Sequence, residues 1–216
     1  MRYLIFDIET VPLPDLTPSQ VEEVARRTAR EMDRSGKTAE EAESLVRSIS
    51  PFLGQVLAIG MRWYNDSNDD IKDKVIVEPS EQATLTSFFD IIDHSASRDV
   101  RFVHYNGLNF DVPFLVVRAA HYGIAIKSRR FLNLARFRYD PHIDVMQFLS
   151  SWRWEGVSLD LACNSFGIPS PKEGDVKGES VAAAYEAGEI DKVAEYVMRD
   201  VEATYQLFRK IRPYLP

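Results

Sequence analysis

RYLIFDIE, residues 2–9, has the two-residue alternation of a β-strand: Tyr3, Ile5, Asp7 and Glu9 fall on one face and Leu4, Phe6 and Ile8 on the other. That alternation sets two carboxylates side by side at the strand end. Neighbouring acids repel unless a cation sits between them, and a donor set made only of oxygen suits magnesium or manganese better than zinc. Taken alone, the same D-x-E pattern also describes two acids on a solvated strand face.

Working outward, the composition changes at Asp15–Ser50. Between Glu22 and Arg47 half the residues are charged, seven acids against six bases, with apolar residues too sparse for a deeply buried helix. This predicts a peripheral helical insertion. Gln55–Trp63 resumes as a strand buried mainly on one side, and Lys74–Glu78 as a short one after the turn-rich NDSNDD. A helix follows Pro79 and Ser80, its Leu85, Phe88, Phe89, Ile91 and Ile92 at helical spacing. Val100–His104 is a further short strand. Asp111 is placed to cap a helix with Pro113 in its first turn, ending at Tyr122 before Gly123. Tyr139–Asp144 is the fifth expected strand. Helices are expected at Val145–Trp152, Ser158–Phe166, Glu179–Ala187 and Ile190–Ile211, the last carrying an unbroken apolar stripe. The order implies an α/β layer built around a mixed sheet.

The chain has 216 residues, enough for one full core, and a formal charge of −7, which argues against coating nucleic acid or anionic membrane by bulk electrostatics. A local nucleic-acid cleft is still compatible with it. The single cysteine, Cys163, excludes an internal disulfide and a zinc knuckle and fits a reducing cytoplasm. No run approaches the roughly 20 apolar residues of a membrane span, and the N-terminus lacks the features of a signal peptide. The expectation is a soluble cytoplasmic protein.

Two more patterns carry chemistry. YNGLNFD, residues 105–111, joins a strand to a helix, although Asn, Gly and Asp are also ordinary turn and cap residues. Tyr196 and Asp200 lie one turn apart on one face of the last helix, an arrangement equally open to a half-packed tyrosine beside a surface acid. In order, D-x-E, N-x-x-N-F-D and Y-x-x-x-D resemble the three motifs of the DEDD family of 3′→5′ exonucleases in its tyrosine-bearing branch. YNGLNFDVPFL is most similar to the proofreading domain of family B DNA polymerases. The resemblance covers the chain outside the 15–50 insertion.

It implies a ribonuclease H-like fold, a central mixed sheet flanked by helices, forming one exonuclease domain over residues 1–216. It further implies that Asp7, Glu9, Asp111 and Asp200 bind two divalent cations, Mg2+ or Mn2+, while Tyr196 positions the attacking water. Thr10 and Asn106, at motif positions beside the terminal nucleotide in the family, become candidate substrate contacts. The implied activity is release of nucleoside monophosphates from single-stranded 3′ ends, DNA rather than RNA. The alternatives are the same chemistry on RNA or short oligonucleotides, and a non-catalytic nucleic-acid-binding module. A chain of this length leaves no room for a polymerase palm and fingers, so a free-standing nuclease is expected.

Secondary features remain open. Lys127–Arg138, KSRRFLNLARFR, holds five bases and no acid, with Phe131, Phe137 and nearby Trp152 and Trp154. It suits either a single-strand channel or a solvated face with phenylalanines in the core. Asp144 is a supporting acid or a helix cap. His104 and His142 fall outside the motifs and are expected to be structural or exposed. Pro169–Gly178 reads as a surface loop whose Lys172 or Lys177 could touch phosphate.

Overall fold

In the computed structural model, which describes residues 1–96, 99–153, 155–171 and 181–215, the opening strand β1 (Arg2–Pro12) is the middle of a five-stranded sheet. It pairs antiparallel with β2 (Gly54–Asn65), which pairs antiparallel with β3 (Asp70–Ile76). On its other side β1 pairs parallel with β4 (Val100–His104), which pairs parallel with β5 (His142–Asp144). The helices are α1 (Pro18–Ser35), α2 (Ala39–Ser48), α3 (Glu81–Ala96), α4 (Asp111–His121), α5 (Val145–Leu149), α6 (Leu159–Phe166), α7 (Val181–Glu186) and α8 (Ile190–Ile211).

Alternation along β1 divides the interior in two. Leu4, Phe6 and Ile8 pack with Leu85, Phe88 and Phe89 of α3 and Val112, Phe114 and Leu115 of α4. Tyr3 and Ile5 pack on the opposite face with Val201, Leu207 and Phe208 of α8. Being buried on both faces is characteristic of a central strand with helices on each side. β2 is likewise buried on both faces rather than mainly on one. Its Ile59 and Met61 join the α3 and α4 layer, while Ala58 and Gly60 meet α8 and its neighbours. A bulge shifts the register between Glu9 and Thr10, whose partners are Ala58 and Val56, so Leu57 is the extra residue.

α8 spans the expected residues, and Val193, Val197, Val201, Leu207, Phe208 and Ile211 are buried along it. It comes close because β2 offers Gly60: a Cβ there would stand 3.0 Å from Val197 Cγ2 and Val201 Cγ2. α1 and α2 form a helical hairpin, each helix opened by a capping box, Thr17 with Gln20 and Thr38 with Glu41. Val24, Val46 and Leu53 form a small cluster of their own with Leu16. The hairpin is tied to the sheet by the Arg47 guanidinium, which donates to the Leu13 carbonyl.

Several boundaries differ from expectation. β1 continues to Pro12 beside β2, and β3 begins at Asp70 because a tight turn after Asn65 pairs Asn65 with Asp70 at once. β5 is only three residues long. α5 stops at Leu149, before left-handed backbone at Ser151 and Trp152. Asp111 is not a side-chain cap: Phe110 holds the N-cap position, and Asp111 lies in the first turn with its carboxylate turned to β1. Lys172 and Lys177 lie outside the described residues. Among the described residues no helix is long and apolar enough to cross a membrane.

Candidate active site

Asp7 and Glu9 lie on the face of β1 that meets α8, opposite Gly60 and Ala58. From α8, Asp200 enters one turn beyond Tyr196, and one carboxylate oxygen from each of Asp7, Glu9 and Asp200 lies within 4.8 Å of the others. Asp111 stands at the start of α4, 2% exposed, and its Oδ1 accepts the Ile8 amide at 3.2 Å. The structure thus gathers Asp7, Glu9 and Asp200 into one cluster, with Asp111 near enough for its charge to act on Asp7 and Glu9.

The electrostatics follow from that crowding. Burial, reinforced by Asp111, Asp200 and Glu9, raises the Asp7 carboxyl well above the usual carboxylate range. Burial with Asp200 and Asp111 pushes Glu9 up to about 8. Burial takes Asp111 to about 7, against the pull of His104 and of the amides of Asp111 and Ile8. The neighbouring charges that act on Asp7 and Glu9 are acids, so like-charge repulsion adds to burial. An oxygen-only cluster of that kind fits a hard divalent cation. Burial and then Glu9, Asp200 and Asp7 raise the Tyr196 phenol, which stays protonated at neutral pH.

The loop from Tyr105 to Phe110 is held from beneath by Asp144, which is fully buried. Its Oδ1 accepts the Asn106 amide at 2.9 Å and the Gln147 amide at 3.2 Å, and its Oδ2 accepts the Leu108 amide at 3.1 Å. Asp144 is therefore both cap of α5 and brace of the loop. Although burial pushes its carboxyl up, hydrogen bonding and charge from His104 and the Leu108 and Gln147 amides hold it below the usual range. His104 and His142 are buried and structural, their Nε2 and Nδ1 atoms 3.1 Å apart, and His142 Nε2 lies 2.8 Å from the Phe131 carbonyl. Burial, then His104, takes His142 down to about 3, so its ring is neutral. Gly107 is needed where the loop crosses His104, because a Cβ would come within 2.4 Å of the ring. Sequence reasoning offered Asp144 as a supporting acid or a helix cap, and it serves as both; what it missed was the crossing of His104 by Gly107, for which the signal available was a strand ending in His104 three residues before a glycine.

Thr10 falls on the other side of β1 from the cluster. Its hydroxyl donates to the Ser48 carbonyl of α2 at 2.8 Å, so the side chain is engaged with the insertion. Asn106 has left-handed backbone, φ 63°, and its Oδ1 accepts from Asn109 Nδ2 at 2.9 Å. The 127–138 segment divides: Phe131 is fully buried, whereas Arg136, Phe137 and Arg138 are exposed.

A mixed sheet led by a central acidic strand and closed by a long helix is the ribonuclease H-like fold of exonucleases and polymerase exonuclease domains. Residues 52–214 match the family described as predicted 3'-5' exonuclease related to the exonuclease domain of PolB, and the chain belongs to that family. The match includes Asn106, Asp111, Tyr196 and Asp200; Asp7, Glu9 and Thr10 precede it. An uncharacterized protein of Methanocaldococcus jannaschii is 24% identical over 171 residues, 74% of this chain and 88% of the relative. A DNA polymerase of Pyrococcus glycovorans is 29% identical over 157 residues, 64% of this chain but 19% of the polymerase. Among solved structures, the family B DNA polymerase of Pyrobaculum calidifontis superposes with a TM-score of 0.64 at 18% identity, over 99% of this chain and 25% of that one. Exonuclease I of E. coli, in complex with a dT13 oligonucleotide, gives 0.50 at 12% identity, over 98% of this chain and 41% of the enzyme.

Proposed function

We propose that the chain is a divalent-metal-dependent 3′→5′ exonuclease of the tyrosine-bearing DEDD branch, releasing nucleoside monophosphates from single-stranded DNA ends. The observation that carries this reading is the meeting of Asp7, Glu9 and Asp200 oxygens within 4.8 Å, with the charge of Asp111 acting on Asp7 and Glu9 and Tyr196 one turn from Asp200. Two ions, Mg2+ or Mn2+, would supply the charge that activates water and eases departure of the 3′ oxygen.

The protein's own groups do the rest. Asp7, Glu9, Asp111 and Asp200 are the carboxyl groups that would hold and orient the cations, with Asp7, Glu9 and Asp111 giving up their protons as the ions bind. The Tyr196 hydroxyl, kept protonated by its surroundings, aligns the attacking water and does not remove its proton. Asn106 is the substrate contact this arrangement favours, since Asp144 fixes its backbone; a contact at Thr10 would come from the main chain. In the hydrolysis, the water oxygen bonds to phosphorus as the bond from phosphorus to the 3′ oxygen breaks; the water gives up a proton to solvent and the departing 3′ oxygen takes one from solvent. A net charge of −7 is compatible with this chemistry because an end-binding nuclease holds only a few nucleotides.

DNA is preferred over RNA as substrate because the named relatives include DNA polymerases and an exonuclease bound to an oligothymidylate. One domain with the 15–50 hairpin as an insertion, working in a reducing cytoplasm suited to the single buried Cys163, completes the reading. Matched 5′-labelled DNA and RNA oligomers, with free or blocked 3′ ends, test it. Stepwise shortening of unblocked DNA, slower on RNA and absent on blocked ends, is expected; cleavage insensitive to the 3′ block contradicts it.

A further inference from the structure

Four aromatic rings step outward from the layer beneath α8. Phe148 and Tyr139 pack against that layer with centroids 5.8 Å apart. Trp152 lies 6.0 Å from Tyr139 and donates its indole N–H to the Tyr139 hydroxyl at 3.1 Å, which fixes the indole. Phe137 then packs on Trp152 at 5.1 Å, and it is 72% exposed. The outer rings sit on unusual backbone, with φ of 61° at Phe137, 52° at Ser151 and 59° at Trp152. Left-handed backbone costs a bulky L-residue about 1–2 kcal/mol, and Phe137 recovers little of that by burial. Phe131, from the same segment, is wholly within the core, so the segment separates one packing phenylalanine from one presented to solvent.

Cations neighbour the presented ring along the chain. Arg136 and Arg138 flank Phe137 and Arg153 follows Trp152; all three are exposed. Arg138 and Arg153 form no ion pair among the described residues. Arg136 instead donates to Asn109 Oδ1 at 2.8 Å, and Asn109 donates to Asn106. The aromatic patch is thereby joined to the loop that delivers Asp111. Aromatic faces stack on any base, and guanidinium groups match phosphates, so the combination recognises single-stranded nucleic acid.

The geometry points to a base-stacking subsite formed by Phe137 and Trp152, with Arg136, Arg138 and Arg153 on the neighbouring phosphates, taking the strand a few nucleotides from its end. The identity of that end rests on the proposed exonuclease activity, whereas the stacking itself requires only binding. On a chain whose net charge repels nucleic acid, such a local patch would set the affinity for longer strands.

Fluorescence anisotropy of labelled oligothymidylates in EDTA tests this with wild type, Phe137→Ala, Phe137→Tyr and Trp152→Ala, each first checked for an unchanged fold by circular dichroism. Phe137→Ala should weaken binding of a twelve-nucleotide strand by at least about fivefold, with Phe137→Tyr restoring it. An abasic residue at the stacked position should weaken wild type similarly and add nothing to Phe137→Ala. Because Trp152 also supports the patch, Phe137→Ala is the deciding variant. Unchanged affinity in Phe137→Ala, or no measurable binding by wild type, overturns the subsite. A clear Phe137 effect on binding in a protein that cuts no end-labelled DNA would leave the subsite standing and remove the exonuclease reading.

Discussion

At the residue scale, the proposed function gives the four acids and the tyrosine separable roles. Asp7→Asn and Asp200→Asn each remove a charge that the cluster uses to hold a cation, so both should abolish nuclease activity and the rise in melting temperature caused by millimolar Mn2+. Tyr196→Phe keeps the ring against Leu57, Ala58 and Val193 while removing the hydroxyl. Turnover should fall by less than about 10²-fold with the Mn2+-induced thermal shift retained, and wild-type turnover under chemistry-limited conditions would refute the role given to the hydroxyl. The raised carboxyls also predict a pH dependence. Asp7, Glu9 and Asp111 hold protons in the metal-free native state at pH values where the unfolded chain has released them. The native state therefore binds more protons, and stability of the metal-free protein falls as pH rises from the ordinary carboxylate range towards about 8. Thermal melts in EDTA at pH 5 and pH 8 should show the loss, and Mn2+ should offset it more at pH 8, because binding displaces protons. Alternation alone made the Asp7 and Glu9 pair legible in the sequence. The hold of β1 on Asp111 was not, because it depends on the Ile8 amide reaching across to α4.

At the element scale, the approach of α8 to the sheet decides whether Asp200 reaches Asp7. Gly60→Ala puts a methyl group 3.0 Å from Val197 and Val201, and shifting the helix to relieve it should cost about 1–3 kcal/mol. Activity and Mn2+ affinity should both drop, although no ligand has changed; an unaltered Mn2+ titration would show that α8 accommodates the methyl without moving Asp200. Asp144→Ala strips the amides of Asn106, Leu108 and Gln147 of one shared acceptor. About 3 kcal/mol or more should be lost in urea unfolding. The boundaries of α8 were readable because its stripe repeats over 22 residues. β3, β5 and α5 were read less well, since the lengths of short elements are set by ladder partners and turn geometry that the chain meets only when folded. The two-sided burial of β2 was hidden for the same reason: its sequence does not reveal how many helices will cover it.

At the scale of the whole molecule, the sheet and its two helical layers surround the acidic cluster, while Val24 and Val46 of the 15–50 hairpin pack with Leu53, which lies beyond the hairpin just before β2. Replacing residues 15–50 by a short Gly-Ser link should leave a folded protein that still binds Mn2+, with a lower melting temperature because the Thr10 hydroxyl loses its Ser48 acceptor. An insoluble product would place the hairpin within the core. Its charge made the hairpin's periphery legible, but its attachment through Thr10 and Arg47 was not, because both contacts use backbone carbonyls that leave no mark on the sequence. The central claim is that the acidic cluster is a divalent-cation site performing hydrolysis. Its most direct test is release of mononucleotide from 3′-labelled single-stranded DNA by wild type and Asp200→Asn, each in EDTA and in Mn2+. The account predicts release only by wild type in Mn2+; equal release by Asp200→Asn, or by wild type in EDTA, would contradict it.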